Sequence, residues 1–157
     1  MNPRIPVTRK RNGNIFVEFA LCSSLLLLLF LGTFQFGFAF YNYTELVNAV
    51  RSGARYASMA KLSNQGNGVV PAAYTTAIQN MVVYGTTAPS QSATPLVAGL
   101  LPSNVSVNVS FDGKFVPQSV TVKVNNFTID TVVKQFPITD KPSLQMPFVG
   151  QYCPIGC

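Results

Sequence analysis

The feature that most constrains this chain is an uncharged, apolar stretch of 23 residues near its N-terminus, Phe19 to Tyr41. Gln35 is the only strongly polar side chain within it. As an α-helix, such a stretch extends about 35 Å, slightly more than the ~30 Å hydrocarbon core of a bilayer. We therefore expect one membrane-spanning helix, with its aromatic residues concentrated toward the end that follows the leucine run.

The formal net charge of +6 is concentrated ahead of this stretch. Four of the eleven basic residues precede it: Arg4, Arg9, Lys10 and Arg11. The chain from Gly13 onward carries seven basic and five acidic residues. By the positive-inside rule, we expect the N-terminus in the cytoplasm and the C-terminal part on the opposite side of the membrane. No basic block interleaved with aromatic residues follows the span, so we expect no nucleic-acid partner.

Residue types that carry chemistry are scarce in this chain. It has no His, the commonest general base and metal ligand. The five acidic residues are scattered, without the spacing of a carboxylate pair or a calcium loop: Glu18, Glu45, Asp112, Asp130 and Asp140. We therefore expect no catalytic residue, no metal site, no cofactor and no small-molecule substrate. The composition argues against an enzyme.

A cleaved secretory signal peptide is the competing interpretation of the apolar stretch. Gly37, Phe38 and Ala39 offer small residues at a cleavage point. The apolar region of a signal peptide is about 7–15 residues long, however, and this stretch is considerably longer. Its length favours an anchor that is not cut at this position.

A second motif lies where the apolar stretch begins. The basic leader ends at Gly13, and Glu18 is the fifth residue beyond it, directly before Phe19. This arrangement resembles the signal cut by prepilin peptidase, which cleaves after the glycine on the cytoplasmic side. Together with the Leu-rich span, the segments Gly13 to Leu21 and Val47 to Ala57 resemble the TadE family. Its members are pilin-like proteins of the tight-adherence (Flp-type) pilus machinery.

The resemblance implies a processing site between Gly13 and Asn14, and pairing of Glu18 with the new amine of a neighbouring subunit. It also implies a minor pilin or pseudopilin whose partners are prepilin peptidase, the inner membrane and other pilin or pseudopilin subunits. For Glu18 an alternative needs no partner, because a side chain at the edge of the span can reach water. A major filament subunit, an uncleaved bitopic protein with an outer binding domain and a secreted domain remain as alternatives.

Small residues follow the span at helical spacing. Ala49, Gly53 and Ala57 recur every four residues, which allows another helix or a sheet to approach closely. This ladder is either a subunit contact or part of the chain's own core, and an amphipathic face more often serves the core. Arg51 and Arg55, one turn apart, are candidates for the same subunit contact or for a solvated face.

Three regions are expected along the chain. They are a basic cytoplasmic leader (1–13), a transmembrane and amphipathic helix (14–62) and an extracytoplasmic α+β domain (63–157). Within that domain, Pro71 suits the start of a second helix, Ala72 to about Tyr84. Its apolar positions are Ala73, Ala77, Ile78, Met81 and Val82.

Strand patterns follow after a polar loop. Val105 to Phe111 alternates apolar and polar residues, Asp112-Gly113 is a hairpin signal, and Val120 to Val124 forms the returning strand. The pattern of Asn126 to Val133 fits a strand and a short helix equally, and Ser143 to Val149 suits a last edge strand. These elements predict a pilin-like α+β fold, in which the long N-terminal helix packs on a small antiparallel sheet.

The three cysteines divide by location. Cys22 lies within the span and is expected to behave as a small, buried apolar residue. Cys153 and Cys157 close the chain, outside the cytoplasm where disulfides persist, so we expect a disulfide between them. A redox-active or metal-binding pair is less favoured, because two cysteines without His make a poor zinc site.

Overall fold

A computed structural model of the chain shows an α+β fold with a long N-terminal apolar helix, and it describes residues 12–63, 68–131 and 135–153. The elements in chain order are helix α1 (Asn12–Met59), strand β1 (Leu62–Ser63), helix α2 (Ala72–Tyr84), and strands β2 (Val105–Phe111), β3 (Pro117–Val124), β4 (Phe127–Asp130), β5 (Gln135–Ile138), β6 (Ser143–Pro147) and β7 (Tyr152–Cys153). The predicted fold class is confirmed. Contacts divide the chain into two units, Met1–Gly37 and Phe38–Cys157.

The first unit contains the apolar part of α1. None of its most apolar 18-residue window is buried, whereas the core helix of a soluble protein would be mostly buried. Two of its hydroxyl groups find partners on the same helix: Ser24 donates to the Leu21 carbonyl and Thr33 to that of Leu29. Because these polar groups are satisfied locally, this part of α1 is compatible with a lipid environment. It is long and apolar enough to cross a membrane.

The second unit is organised around one apolar cluster. α1 contributes Leu46, Ala49, Val50, Ala54 and Ala57, α2 contributes Tyr74, Ile78, Val82 and Val83, and the strands contribute Val105, Val120, Val122, Val124, Phe127 and Ile129. The alternation along β3 explains its role, because every second residue from Val120 to Val124 points inward and is fully buried. The C-terminal half of α1 is therefore part of the core of the folded domain.

The main sheet has three antiparallel strands in the order β2-β3-β6. The predicted hairpin turn is present: the Asp112 carboxylate accepts hydrogen bonds from the backbone N–H groups of Lys114 and Val116, both at 2.8 Å. Pro117 begins β3 beside a register shift in β2, where a residue without an N–H is tolerated. β6 lies at the edge of the sheet, as predicted.

Two strand pairings go beyond the sequence prediction. β4, in the region whose pattern fits strand and helix equally, is a strand paired antiparallel with β5. β1 pairs with β7 in parallel, and the Leu62 N–H donates to the Gln151 carbonyl at 2.9 Å. Because the chain enters this pairing at Leu62, α1 ends at Met59, slightly before its predicted end.

Groups distant in sequence hold the C-terminus of α1. The Tyr74 hydroxyl of α2 donates to the Ala57 carbonyl at 2.5 Å, and the Val149 N–H donates to the Ser58 carbonyl at 2.9 Å. The last carbonyls of a helix have no partner within it. Tertiary contacts from α2 and from the segment after β6 therefore cap this helix.

We expect Tyr74→Phe to lower stability at neutral pH and to weaken the alkaline sensitivity of the fold. Burial, and secondly the charge of Tyr56, raises the pKa of Tyr74 from 10.0 to about 12. The unfolded chain therefore loses this proton first, so the stabilisation is complete below about pH 10 and is lost as the pH rises toward 12. The missing hydrogen bond should cost about 1 kcal/mol.

Thermal unfolding of the full chain in detergent, followed by circular dichroism from neutral to alkaline pH, measures both effects. Tyr43→Phe is the control, since the hydroxyl of this tyrosine makes no hydrogen bond with the described residues. An identical fall in Tm with pH for the wild type and Tyr74→Phe would contradict the assigned role of the hydroxyl.

Candidate processing and assembly site

The predicted processing site lies in the first turn of α1, which contains the backbone of Gly13 and Asn14. Asn14 and Glu18 are four residues apart and lie on the same side of the helix. Both side chains are exposed. A cut after Gly13 would therefore place a new amine one helical turn from a carboxylate, at the end of the helix whose dipole favours negative charge.

Glu18 is a lone carboxylate on an apolar surface. Its neighbours along the helix are exposed apolar residues: Ile15, Phe16, Val17, Phe19 and Leu21. It makes no ion pair or hydrogen bond with any other residue that the structure describes. A carboxylate among lipid-facing side chains is costly unless it is paired or reaches the interface. The position therefore requires either a water-facing side chain or a cation from outside the described chain.

The small-residue ladder lies inside the folded domain. Ala49 and Ala57 are almost completely buried, and Gly53 is buried against α2. A Cβ added at Gly53 would come 2.2 Å from Cγ2 of Val82 and 3.7 Å from the carbonyl of Ile78. The contact seen here is therefore intramolecular, and the subunit contact predicted for these three residues stays a prediction.

Arg51 and Arg55 lie on the opposite, exposed side of α1. Arg51 donates to the side-chain oxygen of Asn48 at 3.4 Å, a long bond along the same face. Among the described residues the salt bridge present joins Lys123 to Asp140, so neither arginine has an acidic partner there. Two cations at helical spacing are thus free to meet a carboxylate of another chain.

This part of the chain matches a known protein family. Residues 13–55 match the TadE-like protein family. The resemblance predicted from the sequence is confirmed over this range, which we call the TadE-like segment. It includes Gly13, Asn14, Glu18, Arg51 and Arg55, and it ends within α1. No curated protein and no solved structure matches the chain.

The domain beyond the TadE-like segment contributes residues that the sequence analysis missed. Val82 packs against Gly53 within the segment, and Tyr74 bonds to Ala57, two residues beyond its end. The sequence contains a signal for the role of Tyr74, because an aromatic side chain with a polar hydroxyl group lies in the first turn of α2. The disulfide predicted between Cys153 and Cys157 involves Cys157, which lies outside the described residues. Cys22 is free and exposed on the isolated helix.

We expect Gly53→Ala to destabilise the domain. The new Cβ meets the fully buried Val82, and overpacking of this kind costs typically about 1–3 kcal/mol. Replacing a helical glycine by alanine returns at most about 1 kcal/mol, so the net loss should be about 1 kcal/mol. Thermal unfolding of the full chain in detergent measures it.

Gly37→Ala is the matched control on the same helix, because no atom lies within 4 Å of its added Cβ. It should leave Tm unchanged or slightly higher. Adding Val82→Ala to Gly53→Ala should recover part of the loss. A Gly53→Ala variant as stable as the wild type would show that α1 and α2 do not pack as closely as described.

Proposed function

We propose that the protein is a membrane-anchored minor pilin or pseudopilin, which takes part in assembly of a tight-adherence pilus by packing against other subunits. The observation that carries the proposal is that the TadE-like segment coincides with a helix whose apolar surface is exposed over its first half. Lipid can cover such a surface, and so can the helices of other subunits. The role is structural, without a catalytic step.

The same proposal includes topology and processing. The four basic residues before the span favour a cytoplasmic N-terminus in the bacterial inner membrane and an extracytoplasmic domain. Prepilin peptidase would cut between Gly13 and Asn14, at the start of α1. Cys153 and Cys157 would then lie in an oxidising compartment, where a disulfide between them can persist.

Glu18 supplies the specific contact in this scheme. Its exposed apolar neighbours give it no cation, whereas the amine released at Asn14 of an adjacent subunit would supply one. Such a pair is more valuable between apolar helices than in water, because the alternative is an unpaired carboxylate. Arg51 and Arg55 would contribute a second, weaker contact with acidic groups at the surface of a neighbouring domain.

Processing can be tested directly by mass. Co-expression of the full chain with a prepilin peptidase should yield a membrane protein whose N-terminal residue is Asn14, because Gly13 precedes the cut. Edman sequencing and intact mass measure this, with a catalytically inactive peptidase as the control. A start at Met1 in the presence of active enzyme leaves a plain bitopic anchor, and a start near Phe40 indicates an ordinary signal peptide.

Assembly can be tested through Glu18. We expect Glu18→Gln to be processed normally but to reduce recovery of a second, differently tagged copy from the membrane by about 10- to 150-fold, as for loss of a charge-assisted bond of about 1.5–3 kcal/mol. Glu45→Gln is the matched control, since this acid lies on α1 beyond the apolar stretch. Unchanged recovery with Glu18→Gln would remove the pairing role. Electron microscopy of surface filaments then distinguishes a minor from a major subunit.

A further inference from the structure

One loop of the folded domain has an unusual composition. No charged residue occurs between Lys61 and Asp112, and within this range Leu96-Val97-Ala98-Gly99-Leu100-Leu101 is apolar throughout, between Pro95 and Pro102. We call Leu96–Leu101 the basal loop. Loops between elements are normally rich in polar and turn residues, so a continuous apolar run in a loop requires an explanation.

The basal loop is held in a defined conformation. Val97 and Leu100 belong to the core, and the Leu100 N–H donates to the Val97 carbonyl at 3.1 Å. The Leu96 N–H donates to the carbonyl of Val83, at the end of α2, at 2.7 Å. In contrast, the side chains of Leu96 and Leu101 are 52% and 55% exposed. The loop therefore presents two leucines outward from a fixed base.

Contacts with α1 give the level of the basal loop along that helix. α2 runs back along α1, because Tyr74 bonds to Ala57 whereas Val82, two turns later, contacts Gly53. Beyond α2, residues Val97 to Gly99 line a cavity of about 160 Å³ together with Phe38 and Asn42 of α1. Phe38 and Asn42 flank Tyr41, the last residue of the apolar stretch. The basal loop thus lies where α1 leaves the predicted span.

The helix surface at this level is also apolar and exposed. Phe38, Phe40 and Tyr41 are 42%, 72% and 62% exposed, and aromatic residues concentrate at membrane interfaces. The acids nearest this level are Glu45, one turn beyond Tyr41, and Asp130, which lines the cavity. Both acids lie outside the basal loop. Because a charged group is costly in the hydrocarbon core, these acids limit the depth of insertion of the loop to the boundary between headgroups and acyl chains.

We propose that the basal loop inserts Leu96 and Leu101 into the headgroup–acyl boundary of the bilayer, on the side where the domain lies, as a second membrane contact beside α1. The inference rests on the proposed membrane anchoring. The basal loop adjoins the exposed aromatic residues at the end of the span, and this continuity identifies a lipid surface as its partner. Since α1 already tethers the domain there, even a weak contact is made at high effective concentration.

Tryptophan fluorescence tests this contact, because the chain contains no Trp and each substitution gives a single reporter. Full-length Leu101→Trp is reconstituted into vesicles of phosphatidylethanolamine and phosphatidylglycerol, with and without acyl chains brominated near the headgroup. Phe40→Trp reports on the anchor. Val149→Trp is the matched control, exposed but bonded to Ser58, which lies about 26 Å along α1 beyond Tyr41.

The expected result is blue-shifted emission and strong quenching by brominated lipid for Leu101→Trp and Phe40→Trp, and neither effect for Val149→Trp. Quenching of Phe40→Trp alone overturns the loop contact and leaves the anchor intact. Absence of quenching at Phe40→Trp contradicts the anchor itself, and the loop contact with it.

Two other results point to a different arrangement of the domain. A blue shift of Leu101→Trp without quenching indicates a second copy of the chain as the occupant. Equal quenching at all three positions indicates a domain lying flat on the bilayer. Both results overturn the proposal.

Discussion

The fold depends on how the C-terminus of α1 is capped. A helix that ends in solvent exposes carbonyls, and here those of Ala57 and Ser58 receive bonds from Tyr74 and from the backbone of Val149. Gly150 follows at such short range that a Cβ there would come 2.5 Å from the Ala60 carbonyl. The helix end therefore joins α2, the segment after β6 and the β1–β7 pair into one cluster. A change at this point therefore affects each of the elements that meet there.

This capping matters because α1 lies in two different environments along one continuous helix. Its first half exposes apolar side chains on all faces, which suits lipid or other helices. In its second half only one face is buried, with the small side chains of Ala49, Gly53 and Ala57 against the domain core, and Arg51 and Arg55 remain outside. The change from uniform to one-sided apolarity marks where anchoring gives way to domain packing, and the TadE-like segment includes both parts.

The sequence predicted those elements whose signals are local. Pro71 marks the start of α2 correctly, and its predicted end near Tyr84 agrees with the structure, where Gly85 adopts the left-handed conformation that ends a helix. The strands around Asp112 follow from alternation and turn chemistry. The face of α2 was predicted less well: Tyr74 and Val83 are buried where Ala73 and Met81 were expected. Tyr74 contributes more apolar area than an alanine and reaches a free carbonyl, and neither advantage is visible without α1 in place.

Features that depend on contacts between distant parts of the chain could not be predicted from the sequence, for the same reason. The two-residue strands β1 and β7 have no periodicity of their own and exist because chain segments about ninety residues apart meet at the end of α1. At the candidate site, sequence patterns identified Glu18 and the arginines as candidates but could not show that α2 packs on the small-residue ladder. A four-residue repeat of small side chains predicts close approach, and only tertiary contacts identify the partner.

The domain contacts also bear on how such a subunit could leave a bilayer. Leucine and phenylalanine side chains gain little by exchanging lipid for neighbouring helices, because acyl chains are as apolar as they are. The apolar half of α1 therefore favours neither state strongly. Glu18 differs, since in the proposed scheme its carboxylate gains the amine of a neighbouring subunit when the helices pack together. Leu96 and Leu101 act in the opposite sense, because a basal loop seated in the headgroup region holds the domain at the bilayer. The balance between one paired carboxylate and two interfacial leucines would then determine whether the subunit remains in the membrane or joins its neighbours.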